Sequence, residues 1–198
     1  MRDEELLDGL REIINIGSGH GATALSTLLG RPVSIAVPRV WHGTLSEARE
    51  AFDGDRTPVF GFRFRVLGDI KGWVLMCVSE SSARPILEAL WPEGNLSENE
   101  ELAISGLAET AHIVSGAFLS AMANMMDLVA FQSTPRVERG PHGDIVSGFV
   151  DQAGTPGSLF IGIEVEMRVE SKVTWEMIFV PLQESIAIFA EKIGEMLG

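Results

Sequence analysis

LREIINIGSG at Leu10–Gly19 and LAETAHIVSG at Leu107–Gly116 are one segment written twice, and that repetition decides how the chain is organised. A shift of 97 residues superimposes Leu10 on Leu107, Glu12 on Glu109, Ile16 on Ile113 and Ser18-Gly19 on Ser115-Gly116. The same shift carries Ala24 onto Ala121 and Pro38-Arg39-Val40 onto Pro135-Arg136-Val137. Further on, a shift of 102 lays Trp73 on Trp175 and aligns the strand–helix units that follow them. The chain is therefore expected to be a tandem duplication, residues 1–95 and 96–198, of a helix–strands–helix unit. Halves of this kind pack about a pseudo-twofold axis and merge their strands. The expectation is one α+β domain spanning residues 1–198, with a continuous mixed or antiparallel sheet covered on a face by long helices.

Working outward from the repeat, Asp3 with Glu4 and Glu5 reads as a helix start, acids on the positive end of the dipole. Leu6, Leu10, Ile13, Ile14, Gly17, Ala22, Leu25, Leu28 and Leu29 continue at helical spacing until Gly30-Arg31-Pro32. Val33–Val37 is a β-branched run that Pro38 interrupts. Phe60, Phe62, Phe64 and Val66 alternate with Gly61, Arg63 and Arg65 as a half-buried strand, and Trp73–Val78 reads as a buried one. Ser82 and Pro85 open a short helix to Leu90, and Trp91–Leu96 is the internal boundary. Ser97 and Glu100 form a capping box that starts a second long helix, to about Met126. Residues 138–157 hold five glycines and two prolines, which predicts a loop. Ile161–Val169 alternates apolar and polar residues, Val173–Val180 is another strand, and Pro181 begins a last helix with Leu182, Ile186, Phe189, Ile193 and Leu197 on one face.

Composition narrows the function. The 198 residues carry 28 acidic against 15 basic side chains, a formal net charge of −13. Such a surface repels phosphate backbones and anionic lipid, which argues against nucleic acid or a membrane surface as partner. No signal-type apolar run follows the acidic amino terminus and no stretch approaches a membrane span, so no membrane insertion and a cytoplasmic location are expected. Cys77, the single cysteine, lies in an apolar run and reads as a buried small hydrophobe. The methionines, several of them on the second long helix, read as core filler.

One polar pattern cuts across this apolar framework. Asp8, Glu12 and Asn15 are spaced i, i+4, i+7, which on an α-helix sets all three on one face, away from Leu10, Ile13, Ile14 and Gly17. Ser105, Glu109 and His112 repeat it. In each half 22 residues separate the third member from a proline, Asn15 from Pro38 and His112 from Pro135. A polar face of this spacing is ordinarily solvated helix surface; its duplication with a fixed gap is what singles it out. Glu109 and His112 also fit half of a di-iron carboxylate site, but only one such pair exists and the strands argue against a bundle. Gly17-Ser-Gly-His-Gly21 follows helix rather than strand and lacks a P-loop lysine, so close helix packing explains it better. His20, His42 and His142 have no partner at metal spacing, and no metal or cofactor site is expected.

The duplicated, gapped pattern of Asp or Ser, Glu, Asn and Pro resembles the signature of the CheC/CheX/FliY family of chemotaxis phosphatases. Glu12–Ser26 and Gly68–Val74 look most like CheC, and the likeness extends over the whole chain. It implies hydrolysis of the aspartyl phosphate on a CheY-like response regulator. In that reading Asn15 orients the attacking water, Glu12 docks against the regulator's lysine, and Glu109 and His112 form a second site. Asp8, Pro38, Ser105 and Pro135 support the motifs. Magnesium comes with the regulator. Two departures from the family pattern stand out: Ile14, where CheC commonly has glycine, and His112 in place of asparagine, which implies a weakened second site. The resemblance leaves two other roles open: a catalytically weak adaptor that binds the receptor deamidase CheD and, less favoured, a flagellar-switch component of FliY type.

Overall fold

A computed structural model describes the backbone of residues 3–91, 100–169 and 171–197, and the side chains of these except 3–13, 189–190 and 193–197. The elements run α1 (Asp3–Leu29), β1 (Ser34–Thr44), α2 (Leu45–Phe52), β2 (Pro58–Gly68), β3 (Gly72–Ser79), α3 (Glu80–Leu90), α4 (Glu100–Met125), β4 (Ala130–Gln132), β5 (Arg136–Pro141), α5 (His142–Ala153), β6 (Leu159–Arg168), β7 (Lys172–Pro181) and α6 (Gln183–Leu197). The expected boundary at 91–96 and the Ser97 cap fall largely outside the described residues.

All seven strands join one antiparallel sheet in the order β1-β6-β7-β3-β2, with β5 and β4 both pairing the outer edge of β2. That order is a palindrome under exchange of halves, with the pseudo-twofold axis between β3 and β7. The register obeys it as well. Val40 faces Ile163 in one half and Val137 faces Phe62 in the other; Ile35 faces Met167, and Gln132 faces Val66.

The same register corrects the shift of 102. Trp175 is fully buried with Phe62 and Val74 in the core beneath α1 and α4, whereas Trp73 packs against the opposite core, so the two tryptophans point to opposite faces of the sheet. A shift of 101 preserves the faces. It carries Phe60-Gly-Phe-Arg-Phe-Arg-Val66 onto Ile161-Gly-Ile-Glu-Val-Glu-Met167.

Both faces of the sheet are covered, not one. On the first face Ile14 and Leu25 of α1, Ala83 and Ile86 of α3 and Leu107, Val114 and Phe118 of α4 pack on the phenylalanines of β2. On the second, Leu45 and Ala48 of α2 and Ile145, Val146 and Phe149 of α5 pack on Leu75, Cys77, Ile178 and Val180. The predicted loop over 138–157 is thus largely helix. Gly143 belongs there because a Cβ would stand 2.4 Å from the Phe52 carbonyl oxygen, where α5 crosses the end of α2.

Pro38 does not end its strand either. β1 runs through it, with a register shift between Ala36 and Arg39 where the missing N–H is tolerated at a sheet edge. Pro135 occupies the matching break between β4 and β5. Gly30, at φ 63°, stops α1 as a left-handed cap. Helix α4 alone, among the described residues, is long and apolar enough to cross a membrane, which the sequence reading had not granted any stretch. Eleven of its residues are buried in the fold.

Candidate functional site

Helix α1 is fixed by what it buries. Ile14 is 2% exposed, Gly17 and Ser18 are buried, and Ser18 Oγ donates to the Ile14 carbonyl at 2.8 Å. These residues seat α1 on α4, where the Gly17 backbone lies against the Cα of Phe118. Helical geometry then turns Asn15 outward, and it is exposed together with Gly19 and Thr23 one and two turns on. Glu12 is one turn before Asn15 on the same helix; its side chain and that of Asp8 lie outside the described residues. Ile14 points into the core, so bulk at this position does not obstruct a partner approaching Asn15.

The second motif is built differently. Ser105 and Glu109 are exposed on α4, as the pattern requires. His112 is only half-exposed, its ring set edge-on to the buried Phe64 ring at 5.8 Å between centroids. Its turn is braced from the edge strand. Gln132 Nε2 on β4 donates to the His112 carbonyl at 2.6 Å, and Ser115 Oγ lies 2.9 Å from Gln132 Oε1 and 2.7 Å from the Ala111 carbonyl, sharing one hydrogen between them. In the first half Ile35 stands where Gln132 does and reaches Gly21 instead. The two motifs are therefore related in backbone but not in side-chain support.

Between α1 and α4, beside β4, lies an open groove of about 450 Å³, lined among others by His20, His112, Gly116, Ala117, Phe131 and Gln132. Phe131 is 55% exposed at its rim. Pro38 and Pro135 sit at the edge-strand breaks and shape those edges rather than the helix faces. Gln132, Phe64 and Phe131 escape a reading by helical spacing. The one signal was a glutamine aligned by the 97-residue shift with the apolar Ile35. Among the described residues no group of three or more His, Cys, Asp or Glu side chains is placed to hold a metal.

Comparison with known proteins agrees with this architecture. Residues 7–42 match the family model described as CheC-like family. Over 148 residues the chain is 30% identical to the CheY-P phosphatase CheC of Bacillus subtilis (strain 168), covering 73% of this chain and 71% of that one. The crystal structure of Thermotoga maritima FliY superposes with a TM-score of 0.78 at 20% identity over 98% of both chains. CheX in the Borrelia burgdorferi CheX–CheY–BeF3–Mg2+ complex superposes at 0.52, with 14% identity over 86% of this chain and 96% of that one. A palindromic antiparallel sheet, paired long helices bearing the duplicated motif, and this level of identity to CheC together place the chain in the CheC-like family of chemotaxis proteins.

Proposed function

We propose that the chain hydrolyses the aspartyl phosphate of a CheY-like response regulator, with the first motif carrying most of the activity. The observation that supports this most directly is Asn15, exposed on a helix whose opposite side is locked by Ile14, Gly17 and Ser18. Hydrolysis of an acyl phosphate needs a water held in line with the leaving carboxylate oxygen, and it gains chiefly from positioning and charge stabilisation. The Asn15 amide both donates and accepts, so it can hold that water against the phosphorus without changing charge. Glu12, one turn away, would pair with the regulator's lysine and set the register of docking. The regulator supplies the magnesium ion. Half-buried against Phe64, His112 presents a larger and less mobile group than asparagine, which favours a weak second site.

The test is release of phosphate from phosphorylated CheY in the presence of magnesium, compared with spontaneous loss. Asn15→Ala is expected to cut the acceleration about a hundredfold, the scale of losing one positioning group, with an unchanged melting temperature because the side chain is exposed. His112→Asn is expected to raise the rate. Full activity in Asn15→Ala refutes the role given to Asn15. No acceleration by the unaltered chain, with a stable CheD complex, would assign it to the adaptor role.

A further inference from the structure

The groove between α1 and α4 is lined without a single carboxylate, in a chain that carries 28 acidic residues and a formal net charge of −13. Its walls are two imidazoles, His20 and His112, the Gln132 amide, the Ser120 hydroxyl and small or apolar side chains. Both helices are written this way. From Asn15 to Leu29 α1 has no Asp, Glu, Lys or Arg, and α4 has none from His112 to Met125. An open space of about 450 Å³ free of negative charge can admit an anionic group that the remaining surface repels.

His112 borders this groove with its ring held and its nitrogens unused. The Phe64 ring meets the imidazole at 5.8 Å and 65°, and Gln132 Nε2 holds the His112 carbonyl at 2.6 Å. Among the described residues no hydrogen bond or ion pair engages Nδ1 or Nε2. By the 97-residue shift His112 stands where Asn15 stands in the first motif, with Glu109 exposed one turn before it. The two side chains differ in what they can do to phosphorus. An amide nitrogen shares its lone pair with its carbonyl and is no nucleophile; it can only hold a water. Neutral imidazole keeps a lone pair on one ring nitrogen and attacks directly. Its outer nitrogen also lies one bond further from the backbone than the carboxamide of asparagine, so it takes up part of the space a bridging water would fill.

We propose that the second motif accepts the phosphoryl group on His112 instead of passing it to water. This rests on the reading that a CheY-like regulator docks against these helices. The unprotonated ring nitrogen forms the N–P bond with its lone pair while the P–O bond to the regulator's aspartate breaks, its electron pair leaving on the carboxylate. The other ring nitrogen keeps its hydrogen through the step, and the imidazolium so formed releases a proton to solvent. No further reactant is needed. The absence of carboxylates along the groove spares the bound phosphoryl group like-charge repulsion, and His20 is the other group in the lining able to donate a hydrogen bond from a ring.

Radiolabelled phosphorylated CheY, freed of small phosphoryl donors and mixed with the full chain and magnesium, tests this over a quenched time course. A phosphoramidate survives alkali and is lost in acid, whereas an aspartyl phosphate is lost in alkali. Alkali-stable label on the 198-residue chain, mapping to His112 by mass spectrometry, is expected. Asn15→Ala should retain it, since the competing hydrolysis is removed. His112→Asn should abolish it while still accelerating phosphate release, which shows that the variant folds and docks. No alkali-stable label at any time in either the unaltered chain or Asn15→Ala, or label that maps to His20 instead, overturns the proposal. Phosphate release without label leaves the phosphatase reading standing alone. Label without accelerated release refutes that reading and keeps this one, and neither signal refutes both.

Discussion

Replacing Gly17 with alanine tests the helix contact that aims Asn15. A Cβ built on Gly17 stands 2.7 Å from Phe118 Cδ1, 2.9 Å from Phe118 Cα and 3.1 Å from the Ala117 carbonyl oxygen. Ordinary carbon contacts begin near about 3.5 Å, so α1 and α4 must separate by roughly 0.6 Å at this point. Rotation of the Phe118 ring relieves the first clash but not the second, which is backbone. Overpacking of this kind costs about 1–3 kcal/mol, while alanine in place of glycine inside a helix returns about 1 kcal/mol. Gly19, on the same helix, supplies the control: it is exposed and a Cβ there meets nothing within 4 Å. Gly19→Ala gains the propensity term alone. The difference between the two variants therefore isolates the steric cost, about 1–3 kcal/mol, or about 2–12 °C in melting temperature for a chain of this size. Urea unfolding with matched m-values measures it. A Gly17→Ala variant as stable as Gly19→Ala would show that α1 does not rest on Phe118 in this way.

Two further outcomes follow from the second face of the sheet. Burial pulls the His142 pKa down, but Glu176 and Asp55, each by hydrogen bond and charge, more than offset it and hold it above the ordinary histidine value. A raised folded-state value means stabilisation that is complete at pH below about 6.5 and lost as pH rises through the folded value. Urea unfolding of the parent against His142→Gln should thus show a larger stability difference at pH 5.5 than at pH 8.5; an equal or reversed difference contradicts the contact. Arg63, 7% exposed, is held by Gln152 and by Glu138 at 2.8 Å over the Phe149 ring. Arg63→Met should cost about 2 kcal/mol rather than the roughly 3–5 of a fully buried pair, because Glu138 keeps some solvent and Arg136 at 3.4 Å. A neutral Arg63→Met, or a Glu138→Leu second change that recovers nothing, contradicts that account.

The helices of the motif and the strands of the sheet were legible because each rests on one strong period. The 97-residue repeat and the alternation from Phe60 and from Ile161 both survive a coarse reading. Helix α5 was hidden by counting glycines and prolines. Ile145, Val146, Phe149, Val150 and Ala153 recur at helical spacing, Pro141 stands at its N-cap, and only Gly143 and Gly148 lie inside it. Helix α2 announces itself by Thr44 and Glu47, a capping box in which each side chain bonds the other's backbone N–H. The tryptophan alignment failed for a sharper reason. A strand reverses its faces at every residue, so a slip of one moves each side chain to the wrong core, and the register that keeps the faces matches Gly61 to Gly162 instead of the two tryptophans.

The site was legible to the level of the helix and no further, and the reason lies in the edge strands. Helical spacing establishes that Asn15 and His112 occupy equivalent positions on α1 and α4. It says nothing of what stands beside each one. After β1 and β4 join the sheet, Ile35 reaches the α1 backbone at Gly21, while Gln132 ties the His112 carbonyl to Ser115. Phe64, on a strand far from either motif in sequence, then sets its buried ring against the His112 imidazole from the core side. A duplicated helix motif thus diverges through its neighbours. An exposed amide in one half and a braced imidazole in the other need not do the same work, even though they stand at equivalent positions of the repeat. Restoring asparagine at position 112 alone should therefore recover less than the full activity of the first motif, because the Gln132 brace and the Phe64 ring remain.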